Sequence, residues 1–160
     1  MLVLEVFKMS SAEEVKVNIR PMTHSDIHEV LALDRSTGRT RRNFISYEAI
    51  AAANPGGPHD MSFVAEVGGK LVGYMMSRLE YLMVPFTQVC VINAILVHPN
   101  YQKHGVGGKL VERLLNHCQA EGINTVRAII PEGNEELQHF FERNSFQRSR
   151  IINFDKTFES

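Results

Sequence analysis

Apolar residues recur along the chain at two spacings, every second position and every third or fourth, and the switches between them divide it into elements. Val17, Ile19 and Met22 open a short strand. Thr23 and Asp26 then stand as a capping box before a helix with Ile27, Val30 and Leu31 on one face. A second helical piece is expected over 46–53, until Asn54-Pro55-Gly56-Gly57-Pro58 breaks it. Residues 63–67 and 70–82 read as strands joined by Gly68-Gly69, a two-residue turn whose positive φ angles suit glycine. Residues 89–97 are apolar on both faces except for Asn93, the pattern of a central strand. Over 105–121, Val106, Leu110, Val111, Leu114, Leu115 and Cys118 form one helical stripe, and Gly122 is placed to end it. A buried strand is expected over 125–130. Asn134 caps a last helix with Leu137, Phe140 and Phe141 inside, and 151–158 closes the chain as a strand. The order is βααβββαβαβ, which predicts an α/β mixed sheet, centrally parallel and otherwise antiparallel, flanked by helices.

At 160 residues, 44% hydrophobic and 22% charged, the chain has the composition of a soluble globular protein and excludes intrinsic disorder. Residues 1–15 read as a weakly specified arm and 16–160 as a single domain. The 17 basic and 18 acidic side chains balance to a net charge of -1, which argues against a nucleic-acid partner. No stretch approaches the roughly 20 apolar residues of a membrane span, and the start lacks the features of a signal peptide. Cys90 and Cys118 form no metal-binding pair and are expected as free thiols of a cytoplasmic protein.

The segment richest in chemistry is Val97-His98-Pro99-Asn100-Tyr101-Gln102-Lys103-His104-Gly105-Val106-Gly107-Gly108-Lys109-Leu110. It joins a buried strand to an amphipathic helix through glycines. Glycines admit a ligand close to the backbone, and the free amides and dipole of the helix start attract an anion. A P-loop would need glycine at Lys103 and Ser or Thr at Leu110. A dinucleotide fingerprint would need a small residue at Leu110 and an early βαβ unit, whereas these glycines follow a strand meander.

Gln102-x-x-Gly105-x-Gly107, after a strand ending Val97-His98-Pro99, resembles the acyl-coenzyme A pyrophosphate loop of the GCN5-related N-acetyltransferases. The resemblance extends from Val17 to Phe158 and includes Asn134 and the helix closing Asn144-Ser145-Phe146. It implies acetyl-coenzyme A as cosubstrate, no metal, and direct attack of an amine on the thioester. Backbone amides of Gln102, Lys103, His104, Gly105, Val106, Gly107 and Gly108 would hold the pyrophosphate, with Lys109 and Arg143 beside it. Leu96 and Val97 would pair with the pantetheine arm, and the amide of Val97 would stabilise the oxyanion. Asn134 would meet the pantetheine or the attacking amine, and Phe141 would line the cofactor.

Three positions depart from the family, one of them Ser145, which replaces the usual glycine. Asn93 stands where many members carry a glutamate base, and Phe141 where many carry a tyrosine that protonates the leaving thiolate. A thiol of pKa about 8.5 leaves tolerably without help, but a lysine amine of pKa about 10.4 is almost wholly protonated at neutral pH. The missing base therefore matters more and favours an acceptor with a weaker amine, such as an α-amine. Glu80 reads as a solvated strand-end residue or, secondarily, as a carboxylate near the cleft. His98 and His104 flank the loop, and each reads as structural or surface-exposed or, secondarily, as catalytic. His24 and His28 share a helix face without a third metal ligand. Arg35, Arg39, Arg41 and Arg42 are either a solvated loop or a site for an acidic acceptor. The acceptor is expected to be a small-molecule or peptide amine, the rival reading is a non-catalytic acyl-coenzyme A binding or sensing module, and a shortened sheet edge leaves room for a homodimer.

Overall fold

The computed structural model describes residues 15–37, 46–83 and 86–159. The expected N-terminal arm, Val15 excepted, lies outside them, as do Arg39, Arg41 and Arg42. The chain forms two compact units, Met1–Ile129 and Ile130–Ser160.

The first unit holds β1 (Asn18–Pro21), α1 (Ile27–Ser36), α2 (Tyr47–Ala53), β2 (Phe63–Val67), β3 (Lys70–Met83), β4 (Phe86–Val97), α3 (Val106–Ala120) and β5 (Val126–Ala128). The sheet order follows the chain, β1-β2-β3-β4-β5. The first four strands pair antiparallel, and α3 crosses over so that β5 pairs parallel to β4. Local signals set most boundaries. Gly68 and Gly69 take φ of 58° and 78° at the β2–β3 turn. The Ser46 hydroxyl accepts from the Ala49 amide to start α2, and Gly122 follows α3 with φ of 73°.

The sheet is covered on both faces. On one, Leu71, Tyr74, Met76 and Leu96 pack with Ile27, Val30, Leu31 and Leu33 of α1 and Ile50 of α2. On the other, α3 buries Val106, Leu110, Val111, Leu114 and Cys118. Arg113 of that helix lies 4.9 Å above the Phe63 ring, and His117 meets the ring edge-on.

Arg20 ties the first strands to the start of α1. Its Nη1 and Nη2 donate to the two Asp26 oxygens at 2.8 Å each, while Nε and Nη2 donate to Glu66 Oε1 at 3.0 and 2.7 Å. The Thr23 amide also donates to Asp26 Oδ2 at 2.8 Å. These donors, Arg20 first, hold the buried Asp26 carboxyl down to about 2. Hydrogen bonding from Arg20 lowers Glu66 as well.

The β3–β4 ladder contains one irregularity. Met76 faces Ala94 and Ser77 faces Ile92, so Asn93 has no opposite residue and forms a bulge. Ser77 is buried at the same level. Its amide receives the Ser62 hydroxyl oxygen as acceptor at 3.1 Å, and its own hydroxyl donates to the Met61 carbonyl.

In the second unit, Asn134 Oδ1 accepts from the Leu137 amide at 3.1 Å and opens α4 (Glu135–Arg143). Phe141 is buried, edge-to-face with Phe140 and with Phe146 at 5.2 and 5.0 Å. Ser145 has φ of 66°, a left-handed conformation that glycine adopts without a Cβ penalty. The strand expected over 151–158 does not form, and these residues are exposed without helix or strand. Alternation of apolar residues specifies a strand's faces but supplies no neighbour for its hydrogen bonds.

Two outcomes test these points. Ser145→Gly should raise unfolding free energy by about 0.5–1 kcal/mol, the left-handed penalty less glycine's entropy, as read by denaturant titration. Because Asp26 has a depressed pKa, its stabilisation is present above the ordinary value of 3.8 and is lost as pH falls through about 2. Arg20→Ala should destabilise by about 1–3 kcal/mol at neutral pH and flatten the loss of stability between about pH 4 and 2.

Candidate active site

β4 lies between two neighbours for only part of its length. β5 pairs with Cys90, Val91 and Ile92 and goes no further. Beyond the Asn93 bulge, no strand among the described residues covers that side of β4. The His98 amide donates to the Val72 carbonyl at 2.8 Å, so backbone alternation turns Leu96 toward β3 and turns Ile95 and Val97 away from it. The amide of Val97, and both amide and carbonyl of Ile95, thus face the open side. The Leu96 backbone is engaged with β3 opposite Tyr74, and of the two neighbours Ile95 is the one whose backbone faces the open side. The bulge also brings the Asn93 side chain to the surface.

The loop after β4 is held in shape by its own side chains. His98 Nδ1 accepts from the Asn100 amide at 3.1 Å, which caps the short turn Pro99–Tyr101. Gln102 Nε2 donates to the Val97 carbonyl at 2.9 Å, while its amide bonds to the Pro99 carbonyl at 3.3 Å. Both kinds of donor on Gln102 are therefore used within the loop, so the residue shapes the cradle rather than filling it. His104 Nδ1 donates to the Gln102 carbonyl at 2.8 Å.

Lys103 and Gly105 have φ of 61° and 78°, and Gly105 is the cap residue of α3. A left-handed residue followed by a helical one turns successive amides toward a common point, an anion-binding nest. Lys109 is the first α3 residue to bond back, to the Gly105 carbonyl at 3.0 Å. The amides of Val106, Gly107 and Gly108 have no backbone acceptor among the described residues. The helix dipole adds about half a positive charge at this point. The loop and the open side of β4 are contiguous in sequence through Val97, so an extended ligand with an anionic end can meet both.

The remaining candidates are described within the unit that holds each of them. Glu80 sits opposite Val89 and pairs with Arg78 at 3.5 Å. Val89 is six residues before Ile95, about 20 Å along a strand. That is beyond the reach of a side chain acting through one water, and the position agrees with the first reading of Glu80 as a charged strand-end residue. Arg35 is exposed in the last turn of α1. Asn134, Phe141 and Arg143 belong to the second unit, where Asn134 caps α4, Phe141 is locked among phenylalanines and Arg143 is exposed. Sequence reasoning missed Ile95, because its outward backbone depends on where the bulge shifts the register.

Cys90 and Cys118 are buried free thiols. The hydrogen bond with Cys118 and burial both push Cys90 up, so it stays protonated. Among the described residues no group of three His, Cys, Asp or Glu side chains is arranged to hold a metal ion.

Fold and loop together define a mixed-sheet acetyltransferase architecture. The chain belongs to the acetyltransferase (GNAT) family, whose sequence profile matches residues 25–146. An uncharacterised N-acetyltransferase of Methanocaldococcus jannaschii is 24% identical over 94 residues, 58% of this chain and 42% of the relative. The chain thus spans less than half the length of that relative. Among solved structures, an aminoglycoside acetyltransferase from an uncultured soil metagenomic sample superimposes with a TM-score of 0.74 at 16% identity, covering 89% of this chain and 97% of its own. The ribosomal-protein-S18-alanine N-acetyltransferase of Escherichia coli gives 0.71 at 18% identity, covering 84% and 79%. The aminoglycoside acetyltransferase AAC(6')-Iy, solved with a bisubstrate analogue built on coenzyme A, gives 0.70 at 18% identity, covering 89% and 99%.

Proposed function

We propose that this chain is an acetyl-coenzyme A dependent N-acetyltransferase that brings an amine directly to the thioester. The observation that carries the reading is the pair of unsatisfied amide sets, one on the outward face of Ile95 and Val97 and one in the first turn of α3. In this reading the amides of Val106, Gly107 and Gly108 hold the pyrophosphate, with Lys103 and Lys109 near it. Ile95 and Val97 hydrogen-bond the pantetheine arm as a neighbouring strand would. The cosubstrate supplies an activated acyl group, and the Val97 amide faces the side on which its carbonyl oxygen gains charge. Direct transfer is supported by the burial of both thiols, Cys90 and Cys118, which keeps either from meeting an acyl donor.

The acceptor in this reading is a small-molecule or peptide amine. Among the solved structures with this fold are acetyltransferases named for aminoglycosides and for a ribosomal-protein alanine. The absence of a carboxylate at Asn93 favours an α-amine, which reaches its free-base form at neutral pH far more readily than a lysine. Arg35, with Arg39, Arg41 and Arg42 beyond the described residues, would draw an acidic acceptor. A second reading, an acyl-coenzyme A binding or sensing module without turnover, draws on Asn93 and on Phe141, whose ring is fixed among Phe140 and Phe146 and carries no proton to donate.

Gly107→Glu puts a carboxylate against the amides that would hold the pyrophosphate. Calorimetry on the folded variant should find acetyl-coenzyme A binding abolished, and retained micromolar affinity would remove the reading. Turnover separates the two readings through coenzyme A release over a panel of amines. On a lysine-like acceptor, Asn93→Glu should raise the rate by up to the ~10²–10⁴ of one general base, and Phe141→Tyr should change it little. A larger gain from the tyrosine would show that thiolate departure limits the reaction, and no activity in either variant would favour the binding module.

A further inference from the structure

Gly73 of β3 stands directly opposite Val97 of β4. Because the His98 amide bonds to the Val72 carbonyl, Gly73 and Val97 form a pair with no hydrogen bonds between them, the kind whose side chains lie closest. The φ of Gly73 is not positive, so its backbone suits any residue, and glycine inside a strand otherwise costs packing and entropy. What glycine supplies here is room. A Cβ at this position would lie 3.1 Å from the Leu96 carbonyl oxygen, 3.4 Å from Val97 Cγ2 and 3.5 Å from Val106 Cγ1. The space of a side chain is thus occupied by the first residue of α3, which is buried, and by the residue whose amide faces the open side of β4.

Building on the acetyl-coenzyme A reading, we propose that Gly73 is a positioning residue: it seats Val106 against Val97 and so fixes the spacing between the amides of Ile95 and Val97 and those of Val106, Gly107 and Gly108. Leu110 and Leu114 hold α3 to the sheet farther along, whereas Val106 makes the contact at the amides themselves. The loop between them keeps its own shape through His98 and Gln102, and the seat on Gly73 decides where that loop delivers the helix. An added methyl group needs a few tenths of an ångström. Either the β4 backbone or the start of α3 must yield it, and both movements change the spacing. A ligand that meets one set of amides does not sense the change. A ligand that spans both does, because each end assists the other only where the geometry lets both engage.

Calorimetry on the full chain with two probes reads the spacing. Acetyl-coenzyme A spans both sets of amides, whereas adenosine diphosphate carries the diphosphate and lacks the pantetheine arm. Gly73→Ala should raise the Kd for acetyl-coenzyme A by about tenfold or more and change the Kd for adenosine diphosphate by less than about twofold. Adding Val106→Ala removes the Cγ1 that the new methyl group meets and keeps the amide, so the double variant should recover part of the lost acetyl-coenzyme A affinity. If Gly73→Ala does not fold, Val106→Ala alone carries the test, since a helix start loosened from its seat should likewise weaken acetyl-coenzyme A and spare adenosine diphosphate. Equal losses for the two probes would mean a damaged cradle and overturn the proposal. Unchanged acetyl-coenzyme A affinity in the variants overturns it as well, and so does a wild type in which adenosine diphosphate finds no site of its own. A wild type that does not bind acetyl-coenzyme A overturns the underlying reading and the positioning role with it, before any variant is made.

Discussion

A central strand that leaves its amides unpaired gives up hydrogen bonds, and β4 does so from the bulge to its end. The cause is one extra residue. Asn93 has no partner in the β3 ladder, and the strand it bends stays with β5 only as far as Ile92. From this divergence follow the outward amides of Ile95 and Val97, and the open side along which an extended ligand can lie. The buried hydroxyls of Ser62 and Ser77 brace the sheet at the level where the register changes. The irregularity is therefore supported from the β3 side rather than left to fluctuate.

What the sheet opens, the next helix completes. The left-handed Gly105 turns the chain into α3, and the stripe from Val106 to Cys118 fixes that helix to the sheet by apolar burial. Its first amides are consequently held rather than mobile when they meet an anion. Gln102 contributes by tying the loop to the last carbonyl of β4. The chemistry around this frame is sparse. The bulge offers a carboxamide in place of a base, the thiols are buried, and Glu80 lies at the distant end of the hairpin. In the proposed reading such a site would rely on positioning and on backbone charge complementarity, and would suit an acceptor that arrives largely deprotonated.

Features governed by local chemistry were legible in the sequence. Gly68-Gly69 requires a tight turn, Ser46 and Asn134 cap helices, and the glycines from 105 to 108 open α3, each for reasons contained within a few residues. The family resemblance rested on the same kind of signal. Features governed by pairing were not legible. Nothing in the residues around Asn93 announces an extra ladder position, and that displacement decides which of Leu96 and Ile95 faces outward. Ser145 sits in a glycine conformation that its own side chain does not suggest, although the family resemblance puts a glycine there. The tail shows the converse, because 151–158 has a strand's alternation and forms no strand. Arg39, Arg41 and Arg42 lie outside the described residues, and their role rests on sequence alone.

Hydrogen–deuterium exchange with and without acetyl-coenzyme A tests most directly whether the unpaired amides of β4 and α3 form one binding surface. Protection is expected to appear together at Ile95, Val97 and the amides of 105–108, while the amides of β1 and β2 stay unchanged. Protection confined to other segments, or none at saturating cosubstrate, would contradict that assignment.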